Sequence, residues 1–159
     1  MPSQVLSKQS SAVRAFTGLL RAYAAATRRL NLQLTRDHGL TLNDYEVLLR
    51  LARAPDRQMR RVDLAEEVLL TPSGVTRLLD GLEQSGFVAR GSCASDRRVV
   101  YAVLTSEGLA KLREASKTHV TQIDELFYER FGDEELTTVA ALLGRLAEPD
   151  PSFDCAPPE

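Results

Sequence analysis

Apolar residues recur at helical spacing in the middle of the chain, between residues 71 and 86. Four of them fall at i, i+3, i+4 and i+7, which places them on one side of an α-helix. They are Val75, Leu78, Leu79 and Leu82. Thr71 is a suitable N-cap, Pro72 suits the first helical position, and Gly86 is the residue type that most often follows a helix end. The pattern predicts one amphipathic helix over this stretch.

Polar residues occupy the opposite side of this predicted helix. They are Ser73, Thr76, Arg77, Asp80 and Gln84. Short polar side chains that donate hydrogen bonds match what base edges and phosphates require. The alternative is an ordinary amphipathic surface helix, and the neighbouring elements decide between the two interpretations.

A second apolar run at helical spacing comes just before this helix. It predicts a short helix over Val62–Val68, and only Leu69 and Leu70 separate that helix from Thr71. Two short helices joined by so tight a turn make a helix-turn-helix, in which the second helix does the reading.

Two strand-like runs follow the second helix. Phe87–Arg90 and Val99–Leu104 are rich in β-branched and aromatic residues, and residues 91–96 between them are small and polar, as a hairpin loop requires. A helix-turn-helix followed by a hairpin is a winged helix. We therefore predict a mainly α fold of the α+β type, with a winged helix-turn-helix lobe over residues 41–104 that ends in a two-stranded β wing.

Long helices are predicted on both sides of this lobe. Residues 9–38 carry a heptad-like apolar stripe that ends near Gly39. Its members are Val13, Phe16, Leu20, Tyr23, Thr27, Leu30 and Leu34. Residues 106–147 predict two helices, one over 106–131 and a last one from Asp133. The last helix is expected to bury Leu136, Val139, Leu143 and Leu146.

These flanking segments are longer than a compact winged helix needs to cover its own core. We expect residues 9–36 and 110–147 to pair with the same segments of a second chain, so that both flanks act as dimerisation helices. The alternative is that their apolar stripes pack inside one subunit. Between the first flank and the lobe, Leu42–Ala54 predicts a further helix, which Pro55 ends.

The composition suits one domain of moderate size. The chain has 159 residues, and we treat residues 1–159 as a single domain whose acidic, proline-rich tail at 148–159 is predicted to be disordered. The net charge of -2 argues weakly against DNA binding. Arginines, however, are concentrated between Arg50 and Arg98, and acidic residues lie toward the C-terminus. This polarity would turn a positive end to DNA, although charge runs usually only solvate a surface.

Several classes of protein and site have no support in the sequence. No apolar segment is long enough to cross a membrane, and the first ten residues lack the basic and apolar regions of a signal peptide. We therefore expect a cytoplasmic location and no membrane partner. The chain has no glycine-rich phosphate loop, no G-x-S-x-G and no paired metal ligands. We expect neither an enzyme nor a bound cofactor or metal.

The winged-helix region resembles that of the MarR family of transcriptional regulators. The resemblance rests on the run DLAEEVLLTPSGVTRLLDGLEQSGFVARGSCASDRRVVYAVLTSEG, which includes the family's Asp-x-Arg wing signature as Asp96-Arg97-Arg98. It extends from the long first helix to the last. The resemblance implies a homodimer that binds an inverted-repeat operator in double-stranded DNA and is often released by a ligand or by oxidation. A winged-helix module that binds only protein is the alternative, since a fold alone does not define a function.

Candidate DNA contacts combine the resemblance with the chemistry of the side chains. They are Thr71, Ser73, Thr76, Arg77, Gln84, Arg90, Arg97 and Arg98. Arg77 can grip guanine or phosphate with two hydrogen bonds, and its alternative is an ion pair with Asp80 or Glu83. For Arg97 and Arg98 in the wing, the functional interpretation is insertion into the minor groove. The structural alternative is that Asp96 pairs with Arg98 and stiffens the loop, while Arg97 or the loop tip contacts DNA.

The switch that releases DNA is less well defined by the sequence. The resemblance implies a small-molecule effector, aromatic or anionic, in a cleft that Tyr23, His38 and Tyr45 would line. For each of these residues a packing role is the alternative, and His119 offers even less information. Cys93 in the wing is a candidate redox switch, with a functionless exposed thiol as the alternative. Cys155 lies in the tail.

Overall fold

A computed structural model describes residues 10–68, 70–92 and 98–146. Within these residues the chain forms six α-helices and three β-strands. In chain order they are α1 (Ser11–His38), α2 (Leu42–Arg53), β1 (Gln58–Arg60), α3 (Arg61–Glu67), α4 (Pro72–Gln84), β2 (Val88–Ser92), β3 (Val100–Leu104), α5 (Ser106–Tyr128) and α6 (Asp133–Gly144). The predicted helix-turn-helix is the pair α3 and α4.

The mainly helical fold with a small antiparallel sheet confirms the predicted fold class. The sheet has three strands rather than the predicted two, in the order β1-β3-β2. Strands β2 and β3 pair from Val88 opposite Leu104 to Ser92 opposite Val100. Strand β1 pairs with the other edge of β3 and is only three residues long. A segment so short shows no alternation of its own, so its pairing partner determines that it is a strand.

Apolar side chains from α2, α3, α4 and α5 form one buried core. Those with no exposed surface include Leu48, Leu51, Leu64, Leu79 and Leu112. Three of the four residues in the predicted stripe of α4 are buried, and Leu78 packs at the edge of the core. Burial of each large apolar side chain contributes about 1.5–3 kcal/mol. This buried side therefore determines which face of α4 points outward.

Both ends of α4 are capped as the sequence predicts. The Thr71 hydroxyl accepts a hydrogen bond from the Gly74 N–H at 3.1 Å. At the other end the Gly86 N–H donates to the Glu83 carbonyl at 3.0 Å, and the Phe87 N–H donates to the Leu82 carbonyl at 2.9 Å. Gly86 has φ 76°, a left-handed conformation that glycine adopts without a Cβ clash. This Schellman cap turns the chain directly into β2.

The start of α5 is held against the same turn. The Thr105 N–H donates to the Phe87 carbonyl at 3.1 Å, and the Thr105 hydroxyl donates to the Gly86 carbonyl at 2.6 Å. The Thr105 hydroxyl also caps α5 by accepting from the Gly108 N–H at 3.0 Å. These hydrogen bonds join the end of α4, the base of the wing and the long helix α5.

The outer helices leave a large apolar surface uncovered in the single chain. Its most exposed members are Phe16, Leu20, Tyr23, Tyr128, Leu142 and Leu146. The predicted buried side of α6 is mostly exposed in the single chain: Val139 and Leu143 are exposed, Leu136 is half-buried, and Leu146, just beyond the helix end, is exposed. Helix α5 also ends at Tyr128, three residues before the predicted end. No helix in the described part of the chain is long and apolar enough to cross a membrane.

Candidate nucleic-acid interface

The outward face of α4 carries the polar side chains that the sequence singled out. Ser73, Thr76, Arg77 and Gln84 are all exposed or partly exposed. Thr71 is exposed as well, and its hydroxyl lies 3.2 Å from that of Ser73 in addition to capping the helix. These residues lie along one side of α4, from its first turn to its last residue, so the structure brings five of the predicted DNA contacts onto one surface.

Arg77 is exposed on this surface. No acidic side chain among residues 10–68, 70–92 and 98–146 lies within ion-pairing distance of it. Asp80 and Glu83, the two carboxylates that the sequence offers as partners for Arg77, are paired instead with Arg90 and, for Glu83, also with Arg61. The Arg77 guanidinium is therefore available to an external anion or base edge.

Arg90 is tied to α4 from the wing strand β2. Its Nε donates to Glu83 Oε2 at 2.9 Å, and its Nη2 donates to Asp80 Oδ1 at 3.3 Å. The hydrogen bond to Glu83 raises the pKa of the Arg90 guanidinium above its ordinary value. Arg90 thus joins β2 to the last turns of α4.

Arg61, at the start of α3, completes this group of ion pairs. Its Nη2 donates to Glu83 Oε1, so each oxygen of the Glu83 carboxylate accepts from a different arginine. Sequence reasoning missed this role of Arg61 and Glu83. The two residues are 22 positions apart, and no helical or strand spacing relates them. Only the packing of α3 against α4 brings them together.

The described residues include only part of the wing. Arg98 is exposed, as expected for a loop residue. Asp96, Arg97 and Cys93 lie outside the described residues, and so does Cys155 in the predicted tail at 148–159. The pairing of β2 with β3 places Ser92 beside Val100.

Several arginines of the predicted basic cluster are internally neutralised. Arg50 is buried and lies 3.5 Å from Glu67 and 3.8 Å from Glu46. Arg60 pairs with Asp63 at 2.6 Å. Together with Arg61, these residues stabilise contacts within the lobe. They contribute less to an external positive surface than the sequence pattern suggested.

Two of the three predicted effector residues lie against the same stretch of α5. Tyr45 is buried, its hydroxyl lies 2.8 Å from that of Ser116, and its ring packs on His119 with centroids 4.6 Å apart. His38 contacts Thr118 through Nε2. Tyr23 is 68 % exposed. It lies 15 residues before His38 on the same helix, or about 22 Å at 1.5 Å per residue, so the structure does not bring it to this site.

The surroundings of Tyr45 include buried polar groups that no sequence pattern indicated. Burial lowers the pKa of the His119 imidazole below its ordinary value. Within the described residues, His119 Nδ1 and Gln122 Oε1, three residues apart on α5, are buried with no hydrogen-bond partner. No group of three or more His, Cys, Asp or Glu side chains in the described ranges is arranged to hold a metal ion.

Comparison with known proteins matches the chain to regulators. A family model described as MarR family matches residues 38–99, which span α2 to the wing. The HTH-type transcriptional repressor YetL of Bacillus subtilis (strain 168) is 34% identical over 110 residues. That match covers 69% of this chain and 65% of YetL, slightly less than two thirds of the relative.

Solved structures match over most of the chain. AbsC, a MarR family transcriptional regulator from Streptomyces coelicolor, is 30% identical with a TM-score of 0.75, and the match covers 91% of this chain and 95% of AbsC. Sco3205, a MarR family regulator from the same organism, was solved in complex with DNA. It is 27% identical with a TM-score of 0.76, and the match covers 90% of this chain and 91% of Sco3205.

Proposed function

Because the chain belongs to the MarR family of winged helix-turn-helix regulators, which bind DNA and are not enzymes, we propose that it is a homodimeric repressor of an inverted-repeat operator. The observation that carries the proposal is the outward face of α4, where Arg77 stands exposed between Ser73 and Gln84 while the opposite side is fixed in the core. Its DNA partner would be chromosomal, so we also propose a cytoplasmic location.

Dimerisation is supported by the uncovered apolar side chains of α1, α5 and α6. Phe16 is 61 % exposed and Leu146 is 78 % exposed in the single chain, which is more than scattered surface residues of a monomer require. Covering this surface with a second copy would produce a two-fold dimer with two equivalent α4 helices. To engage one face of DNA, those helices need a separation of about 34 Å, one turn of the duplex. An inverted-repeat operator follows from that symmetry.

The proposed contacts divide by groove. Ser73, Thr76 and Arg77 face the major groove, where Arg77 binds guanine or a phosphate with two hydrogen bonds. Thr71 and Gln84 stand at the two ends of the same face and contact phosphates. We further propose that Arg97 or Arg98 of the wing contacts the neighbouring minor groove, whose narrow shape concentrates negative potential.

Release by a small aromatic or anionic ligand is the switch that we propose. The buried polar groups around Tyr45 and His119 supply hydrogen-bonding atoms that lack partners in the described part of the chain. Unpaired buried polar atoms are costly, so a ligand that satisfied them would bind favourably. The site joins α2 of the DNA-binding lobe to α5, and a ligand there would bias the position of the lobe relative to the long helices.

A fluorescence anisotropy titration tests the proposed function. The probe is the duplex upstream of the protein's own gene, measured with and without a large excess of unrelated duplex. We expect saturable binding of two chains per site that survives the competitor and weakens when a phenolic acid such as salicylate is added. Equal affinity for both duplexes would contradict an operator-binding role.

A further inference from the structure

We infer that Glu83 is a positioning residue for DNA binding, because its carboxylate joins the end of α4 to α3 on one side and to the wing strand β2 on the other. The inference rests on the proposed use of the α4 face and the wing as one DNA-binding surface. It also changes the interpretation of Arg90, which acts through Glu83 rather than by binding phosphate.

The two oxygens of the Glu83 carboxylate contact different arginines. Oε1 accepts from Arg61 Nη2, and Oε2 accepts from Arg90 Nε at 2.9 Å. Arg90 reaches Asp80, one turn earlier on α4, through its Nη2 at 3.3 Å. Arg90 therefore contacts α4 at two successive turns. Arg61 contacts the Glu83 carboxylate from α3.

Burial makes the Arg61 half of this connection the stronger one. The side chains of Arg61 and Glu83 are 17% and 20% exposed, whereas that of Arg90 is 61% exposed. Charge-assisted hydrogen bonds gain strength where water is partly excluded. Arg61 Nε is buried without a partner in the described residues, so loss of Glu83 would leave a poorly solvated guanidinium. A glutamine at position 83 has only one acceptor oxygen and would direct an N–H₂ group at one of the two arginines.

The consequence for DNA binding is a matter of pre-organisation. The α4 face enters one groove and the wing is expected in the next, so both elements must hold one relative orientation to bind together. Without the connection at Glu83 that orientation has to be selected on binding, which lowers affinity although no DNA contact is lost. Simple electrostatics predicts a higher affinity instead, because removing a carboxylate close to DNA reduces repulsion.

The direction in which operator affinity changes when Glu83 is replaced therefore tests the inference. Operator dissociation constants are measured by anisotropy for the full chain, for Glu83→Gln, for Arg90→Gln and for the double variant. Asp63→Asn is the matched control, because it removes the same charge from the same lobe and, among the described residues, breaks the local pair with Arg60 alone. We expect Glu83→Gln and Arg90→Gln each to weaken binding roughly fivefold or more, and the double variant to be no weaker than the worse single variant. Asp63→Asn should bind as tightly as the wild type or more tightly.

The salt dependence separates positioning from phosphate contact. A positioning role leaves the slope of log K against log salt unchanged in Arg90→Gln, whereas a lost phosphate contact lowers it by about 1. Stoichiometric titration measures the fraction of each variant that is folded and active, so a loss of fold does not register as a loss of affinity.

The inference is overturned if Glu83→Gln binds as tightly as Asp63→Asn, or if Arg90→Gln lowers the salt slope. A wild-type protein with no preference for the operator would instead remove the proposed function, and this inference with it. If the wild type prefers the operator and Glu83→Gln binds the operator with wild-type affinity, the proposed function stands and only the positioning role of Glu83 is contradicted.

Discussion

The carbonyl oxygen of Phe87 lies 2.1 Å from the position that a β-carbon would take on Gly108. Gly108 is in the first turn of α5, and Phe87 directly follows the Schellman turn that ends α4. The Thr105 hydrogen bonds hold the two backbones at this separation. Only a residue without a side chain permits α5 to pack so closely on the junction between α4 and the wing.

Gly108→Ala is therefore expected to destabilise the fold. The added methyl group must displace backbone atoms rather than the end of a flexible side chain, and overpacking of this kind costs about 1–3 kcal/mol. Gly81→Ala is the matched control, since Gly81 is also helical and a β-carbon added there would meet nothing within 4 Å. It should stabilise the protein by up to about 1 kcal/mol. Urea unfolding followed by circular dichroism measures both, and equal free energies of unfolding for the two variants would refute the packing argument.

Phe16→Asp is expected to weaken the proposed dimer. Phe16 belongs to the exposed stripe of α1, and a carboxylate there would have to be desolvated in the interface. Leu32→Asp is the control on the same helix: Leu32 is 64 % exposed, close to the 61 % of Phe16, but it points about 160° away around the helix at 100° per residue. Sedimentation velocity at micromolar concentration should find monomer for Phe16→Asp and dimer for Leu32→Asp. A wild-type monomer under these conditions would count against the dimer itself.

Burial of His119 predicts a loss of stability in mild acid. The pKa of the imidazole is lowered in the folded protein, so the unfolded chain binds more protons once the pH falls below the ordinary value of 6.5. The contribution of the neutral ring is complete above pH 6.5 and is lost as the pH falls toward the lowered pKa. The slope for one proton is at most about 1.4 kcal/mol per pH unit.

His119→Phe keeps a ring against Tyr45 and removes the titration. The free energy of unfolding is compared between wild type and variant from pH 7.5 to 5.5. The half-buried Glu46 carboxyl, whose pKa burial raises, titrates in both proteins and cancels in the difference. The wild type should lose more stability than the variant over this interval. Parallel curves would mean that His119 is hydrated enough to protonate at no cost.

Local patterns were sufficient to predict the elements that are proposed to read DNA. The cap at Thr71, the apolar stripe of α4 and the turn at Gly86 all depend on residues a few positions apart, and each is found where it was expected. The identity of the exposed face followed, because a helix with one buried side has its other side determined. The candidate contacts on α4 could therefore be named before the fold was known.

Features that depend on distant residues escaped the same reasoning. Strand β1 forms because β3 offers it an edge, and the pairing of Arg61 with Glu83 forms because α3 packs on α4. The expected buried side of α6 is largely exposed, because no other element among the described residues packs over it. His119 carried no local signal, and its environment comes from α2. In each case tertiary contact, rather than the periodicity of the segment, decides the outcome.

The most direct test of the account is the affinity of Arg77→Ala for the operator at fixed salt. Arg28→Ala is the control, because it removes the same charge from an exposed position on α1, outside the α4 face. Loss of a contact with two hydrogen bonds should cost Arg77→Ala on the order of 1–3 kcal/mol of binding free energy, which raises the dissociation constant roughly 5- to 150-fold. The dissociation constant of Arg28→Ala should stay near that of the wild type. Equal dissociation constants for the two variants would contradict the claim that the exposed face of α4 reads DNA.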